Sequence, residues 1–224
     1  MNPHCARLLR YGFYSVVVGL QLLAAPSWGA PLDTRARFLQ AREAFESGRK
    51  GSVDAIGLAQ QQFRGLVAAE PANPLYLAYF GSTYTLQARE STLPWTKIHL
   101  INQGVGLLDQ ALSSLHAIER RASGADPSVL LETRLVAIAT FIALPDSLFH
   151  RLTIAKQTLQ EALASPAFAV ADTDLRGHLV YEGALIARQE HDDGAERSAL
   201  KQVMALAPPS IDAAGIRARL AQLP

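Results

Sequence analysis

The chain has 224 residues, 49% of them hydrophobic, which is enough for one well-buried domain and leaves no stretch polar enough to stay disordered. Its charges nearly cancel, with 21 Lys and Arg against 20 Asp and Glu, so nothing electrostatic points to nucleic acid or anionic lipid as a partner. Cysteine is used once, at Cys5.

The first 29 residues have the layout of a cleavable export signal. Arg7 and Arg10 form a positive start, Tyr11 to Ala25 is apolar, and Pro26-Ser27-Trp28-Gly29-Ala30 follows as a small-residue zone. Cutting after Gly29 places Ser27 and Gly29 at the two small-residue positions, and residues 30–224 are then the mature domain. An apolar run of about 15 residues is short for a membrane span of about 20, although an uncleaved signal would anchor the chain. Removal of Arg7 and Arg10 leaves 19 basic residues against 20 acidic ones. It also removes Cys5, so the mature chain has neither a thiolate metal ligand nor a cysteine nucleophile. Export into a periplasm with no stable membrane insertion is the expectation.

From Asp33 onward apolar residues recur three and four apart between Gly and Pro breaks, which predicts an all-α chain. Asp33 or Thr34 is placed to cap a first helix reaching about Ser47, and residues 48–52 form a turn. A second helix sets Ile56, Ala59, Phe63, Leu66 and Val67 on one stripe and stops at Glu70-Pro71. A third starts near Pro74 and carries Leu77, Phe80, Gly81 and Tyr84 to about Arg89, with Tyr84 in the core and Tyr76 or Tyr79 free to line a surface. A fourth, after Leu93-Pro94-Trp95, buries Ile98, Ile101, Val105, Leu108, Leu112 and Leu115. Gly104 and Gly106 fit close helix packing there.

Asp126-Pro127 opens a fifth helix that is apolar on more than one face and is therefore expected at the centre. Asp146 is placed to cap a sixth, with Leu148, Leu152, Ala155, Leu159 and Leu163, ending at Ser165-Pro166. Asp172-Thr173-Asp174 caps a seventh running to about Glu190. The turn His191-Asp192-Asp193-Gly194 leads to an eighth, and residues 211–223 form a terminal capping helix.

Ala59, Phe63 and Pro71, followed by Leu77, Phe80, Gly81 and Tyr84, resemble the tetratricopeptide repeat family, most closely over residues 55–115. The resemblance implies a right-handed α-solenoid of antiparallel helix hairpins, about eight helices plus the cap, with a concave face that takes peptides or partner proteins. Residues 127–164 match only as two antiparallel helices. The matched residues pack helices in that family, so none carries over as a catalytic or binding residue. Gly104 falls 45 residues after Ala59 where the family's repeat has about 34, which places an expansion of about 11 residues around Trp95.

Chemical motifs are sparse. His99, His116, His150, His178 and His191 include no pair three or four apart, and the chain has no Gly-x-Ser-x-Gly, His-Glu-x-x-His or phosphate-cradling loop. His178 and Glu182 are expected as a helix-surface hydrogen-bonded pair, and His191-Asp192-Asp193 as a capped turn. No catalytic residue, metal or cofactor is assigned. Arg89, Trp95, Lys97 and His99 are the candidate partner-binding residues, with Tyr76 and Tyr79 as a second aromatic group. Trp95 either anchors a partner, with charge-assisted bonds around it, or packs under its hairpin while Arg89 pairs with Glu90. The function expected is a non-catalytic scaffold or adaptor that binds a protein or peptide in the cell envelope. The alternative is a carrier of a small molecule or lipid in an apolar cavity near residues 128–142.

Overall fold

The computed structural model describes residues 33–120 and 126–224; the expected signal at 1–29 lies outside them. The described residues form eleven helices and no strand: α1 (Thr34–Arg49), α2 (Val53–Ala69), α3 (Pro74–Glu90), α4 (Pro94–Arg120), α5 (Pro127–Ile142), α6 (Asp146–Phe149), α7 (Leu152–Ala164), α8 (Pro166–Val170), α9 (Thr173–Gln189), α10 (Asp193–Leu206) and α11 (Ala213–Gln222). Two more helices are present than the sequence predicts, and both extra ones, α6 and α8, are short.

Local chemistry sets most of the boundaries. Side chains of Asn73, Asp126, Asp172, Asp192 and Asp212 each accept a hydrogen bond from a backbone N–H of the first turn they precede, and Pro74 and Pro127 fill first-turn positions whose N–H has no partner to lose. The expected caps at the other helices differ. Asp33 precedes α1 but makes no side-chain cap. Asp146 lies inside α6, where the chain turns left-handed at His150 (φ 51°), and its carboxylate instead accepts from the Leu152 N–H at 2.8 Å to start α7. The predicted sixth helix is therefore broken, and Leu148 is exposed rather than part of its buried stripe.

Successive long helices pack as pairs: α1 on α2, α3 on α4, α5 on α7 across the short α6, and α9 on α10. α5 also touches α3, α4, α8 and α9, which places it at the centre of the helices and uses most of its apolar surface in packing. Phe63 of α2 is fully buried and stacks on Tyr79 of α3, with ring centroids 4.8 Å apart. Phe45 of α1 meets the same ring edge-on at 5.0 Å. Each such aromatic removed from water contributes on the order of 2 to 3 kcal/mol, which welds the first three helices together. A second apolar cluster at the C-terminal end joins Val180 and Ala184 of α9 to Leu200 and Val203 of α10, Ile216 of α11, and Leu223.

The α3/α4 pair meets through glycine. A Cβ on Gly81 would stand 2.7 Å from the Gly104 carbonyl oxygen, and one on Gly104 2.5 Å from that of Gly81, so both positions exclude any side chain. Gly106 has open space around it, contrary to its expected packing role. Between Gly81 and Gly104 the chain completes α3, turns at 91–93, and begins the 27-residue α4, and this turn with the first residues of α4 forms the tip of the pair. Burial in α4 starts at Ile101; Leu93, Trp95 and Ile98 at the tip are exposed, which corrects the expected burial of Ile98.

Candidate functional site

One side of α1, α3, α5, α9 and α11 lines a groove of about 1190 Å3. Each long helix gives it a stripe at helical spacing: Arg42, Phe45 and Arg49 from α1; Tyr79, Ser82, Leu86 and Arg89 from α3; Glu132, Leu135, Val136 and Ala139 from α5; Leu175, His178, Glu182 and Leu185 from α9. Apolar side chains alternate with charged ones along it. α11 closes the lining with Gly215, Ile216 and Arg219.

The groove's charges are mostly neutralised from within. Arg42 lies 3.5 Å from Glu132, whose carboxylate also accepts from the Tyr79 hydroxyl at 2.7 Å. Burial, together with the Glu132 charge beside it, raises the Tyr79 phenol well above its ordinary pKa, so it stays a donor. Ser82 and Thr140 share a buried 2.6 Å hydrogen bond across α3 and α5. Arg49 pairs with Glu46 at 3.2 Å. Arg89 bonds Glu90 and donates to the carbonyls of Gly48 and Arg49, which ties the end of α3 to the last carbonyls of α1.

Towards α11, Asp174, His178 and Ser210 come together. Ser210 donates to Asp174 at 2.6 Å through its hydroxyl and at 3.1 Å through its backbone N–H, while His178 Nε2 lies 2.7 Å from the same hydroxyl. A nucleophilic relay needs the carboxylate on the far ring nitrogen of the histidine; here the nearest Asp174 contact is to that same Nε2, at 3.9 Å, and the serine proton is directed to Asp174 itself. The trio therefore holds the 208–212 turn against α9. Partial burial works against the Asp174 carboxylate, but the two Ser210 bonds and nearby His178 hold its pKa below the usual value.

Two buried carboxylates stand out. Glu196 of α10, with no exposed surface, accepts from Arg188 Nε at 2.8 Å and from Arg219 through Nε at 2.8 Å and Nη2 at 2.7 Å. The Arg219 bonds lead in lowering its pKa to about 2, against the cost of burial and with Arg188 adding to them. Glu182 of α9 is 8% exposed, and its Oε2 has no hydrogen-bond partner. Burial pushes its pKa up to about 7, opposed by the charge of Arg49. The expected His178–Glu182 pair does not form, because His178 turns to Ser210.

The sequence-predicted site residues separate into two places. Tyr79 and Arg89 line the groove. Tyr76 is buried against Phe38, at a 5.5 Å centroid distance, and does not line it; Tyr84, expected in the core, is half-buried. Trp95, 68% exposed, stands with Lys97 and His99 on the exposed start of α4, outside the groove lining. It is not packed under its hairpin, while Arg89 does pair with Glu90. Glu182 and Glu196 carried a signal that helix-surface reasoning passes over. Each occupies a position in an apolar stripe, Glu182 between Leu179 and Ile186 and Glu196 ahead of Leu200 and Val203.

Among the described residues no cluster of three His, Cys, Asp or Glu is placed to hold a metal ion, and no helix is long and apolar enough to cross a membrane. No protein-family model, curated protein or solved structure matches the chain.

Proposed function

We propose that this protein is an exported, non-catalytic scaffold of the cell envelope whose helix pairs stack as a right-handed, tetratricopeptide-like solenoid, and that its groove captures an extended segment of a partner protein. The groove itself is the observation that carries this reading. It draws successive stripes from four long helices and a capping helix, and it alternates apolar side chains with hydrogen-bonding ones. An extended peptide offers that same alternation, with a backbone that hydrogen-bonds wherever its side chains do not. A carrier of lipid is less well supported, because the apolar side chains that α5 and its neighbours bring to the groove are interspersed with charged ones such as Arg42, Glu132, Glu182 and Arg89. The exposed Trp95 tip supplies a separate aromatic surface.

Selection from a random peptide library on the purified protein, followed by affinity measurement on two variants, tests this. Ala139→Trp places an indole on the groove wall and should weaken the selected peptides at least tenfold, with the thermal transition preserved. Trp95→Ala should leave them within about twofold. Loss through Trp95→Ala alone would move the site to the tip, and a library that yields no binder would refute the reading.

A further inference from the structure

The partner-binding reading leaves open which chemistry the groove selects, and its internal charge pairing answers that. Among the carboxylates that line it, Glu46 is held by Arg49, Glu132 by Tyr79 and Arg42, and Asp174 by Ser210; Asp172 and Asp212 cap helices. Glu182 is the remaining one, and its buried Oε2 has no hydrogen-bond partner among the described residues. Arg49 is the cation whose field reaches it, and that guanidinium is bonded to Glu46 instead. A carboxyl so buried and unpartnered costs stability in the free protein. A ligand that brought its own cation would remove that cost on binding.

Resting on the groove reading above, we propose that Glu182 is the specificity-determining residue of this groove and receives the basic side chain, Lys or Arg, of an extended partner segment. Leu185 and Leu175, one and two turns away on α9, line the groove on either side and contact the methylene stem of such a side chain or its apolar neighbours. The commitment is to a side chain of a peptide: the groove runs along several helices, much longer than a lone small amine would fill.

Four pools of acetylated, amidated nonapeptides test it, each with randomised small and apolar flanks and a single central residue fixed as Lys, Arg, norleucine or Glu. Binding is read by fluorescence anisotropy at pH 8. The Lys and Arg pools should bind about tenfold or more tighter than the norleucine pool, and the Glu pool should bind weakest. Glu182→Gln, which keeps the shape and removes the charge, should bring Lys and norleucine to within about twofold. Glu182→Lys should invert the order in favour of the Glu pool. The comparison of pools on the unaltered protein stands even where a variant fails to fold. Equal binding of the Lys and norleucine pools, or a Lys preference that survives Glu182→Gln, overturns this inference while leaving the groove reading intact. Binding by no pool overturns both. Displacement of the Lys pool by butylammonium at equal concentration overturns the assignment to a peptide side chain.

Discussion

Glu182 and Glu196 lie on consecutive helices, α9 in mid-helix and α10 in its first turn, each in line with an apolar stripe, yet the fold treats them oppositely. Glu196 is met by arginines from the helix before it and the helix after it, so its charge is held by three hydrogen bonds and its pKa falls to about 2. Glu182 faces a groove wall that supplies none, and its pKa rises to about 7. A buried carboxylate whose bonds come from the same chain serves the fold. One left without them, on the wall of a groove, is available to something else.

The largest effect expected from disturbing this contrast is at the paired site. Glu196→Ala removes the shared acceptor of Arg188 and Arg219 and loosens α11 from the α9/α10 pair. It should cost about 3 kcal/mol, the lower end for a buried ion network because both arginines can turn to water. Urea unfolding at pH 7 measures it; a loss below about 1 kcal/mol would mean that the network adds little to the C-terminal cluster. Because the Glu196 pKa is depressed, its stabilisation is complete above the unfolded value near 4.5 and is lost as pH falls towards 2.

Glu182→Gln should act in the other direction, raising stability at pH 8 by about 2 to 3 kcal/mol, since a pKa raised from 4.5 to about 7 means that ionisation costs the folded state. The folded state binds the extra proton between those two values. The Glu182 contribution therefore favours folding less as pH rises from 4.5 through 7, and the variant should lack that decline. Unfolding curves at pH 5 and pH 8 for both proteins decide it, and the difference between the two proteins isolates Glu182 from the rest of the chain. An unchanged pH response would show that Arg49 turns to pair with Glu182 in solution.

The glycine contact tests whether the groove depends on the close approach of the α3/α4 pair. Gly104→Ala inserts a methyl against the Gly81 carbonyl oxygen and should cost about 2 kcal/mol by thermal or urea unfolding, despite the helix-favouring gain of alanine. The same substitution at Gly106, where space is open, should be neutral or slightly stabilising. The smallest effect belongs to the tip: Trp95→Ala should shift stability by less than about 0.5 kcal/mol, because its side chain is already in water. A larger loss would mean that the indole is packed in solution.

Ala59, Phe63, Leu66, Gly81 and Leu108 were legible as packing positions because helical packing depends on spacing and size, and both are written locally. The helix starts at Pro74, Pro127, Thr173 and Asp193 were legible for the same reason, since an Asn or Asp cap acts within one turn. The break at His150 was not, because a left-handed residue in an otherwise helical pattern leaves no periodic mark. The candidate site was half legible. Tyr79 and Arg89 do line the groove, but Trp95 attracted attention through its residue type and the repeat expansion, which say nothing of the direction in which a hairpin tip points.

The sequence by itself determined that this chain is helical, where most of its helices begin and end, and much of what they bury, because periodicity, capping and size act over a few residues. Only the tertiary structure decided the pairing of its charges. Arg188, Glu196 and Arg219 are brought together by the packing of three helices, and Glu182 is left alone by the same packing. Whether a buried carboxylate is satisfied depends on atoms distant in the chain, and no local pattern records which of them arrive.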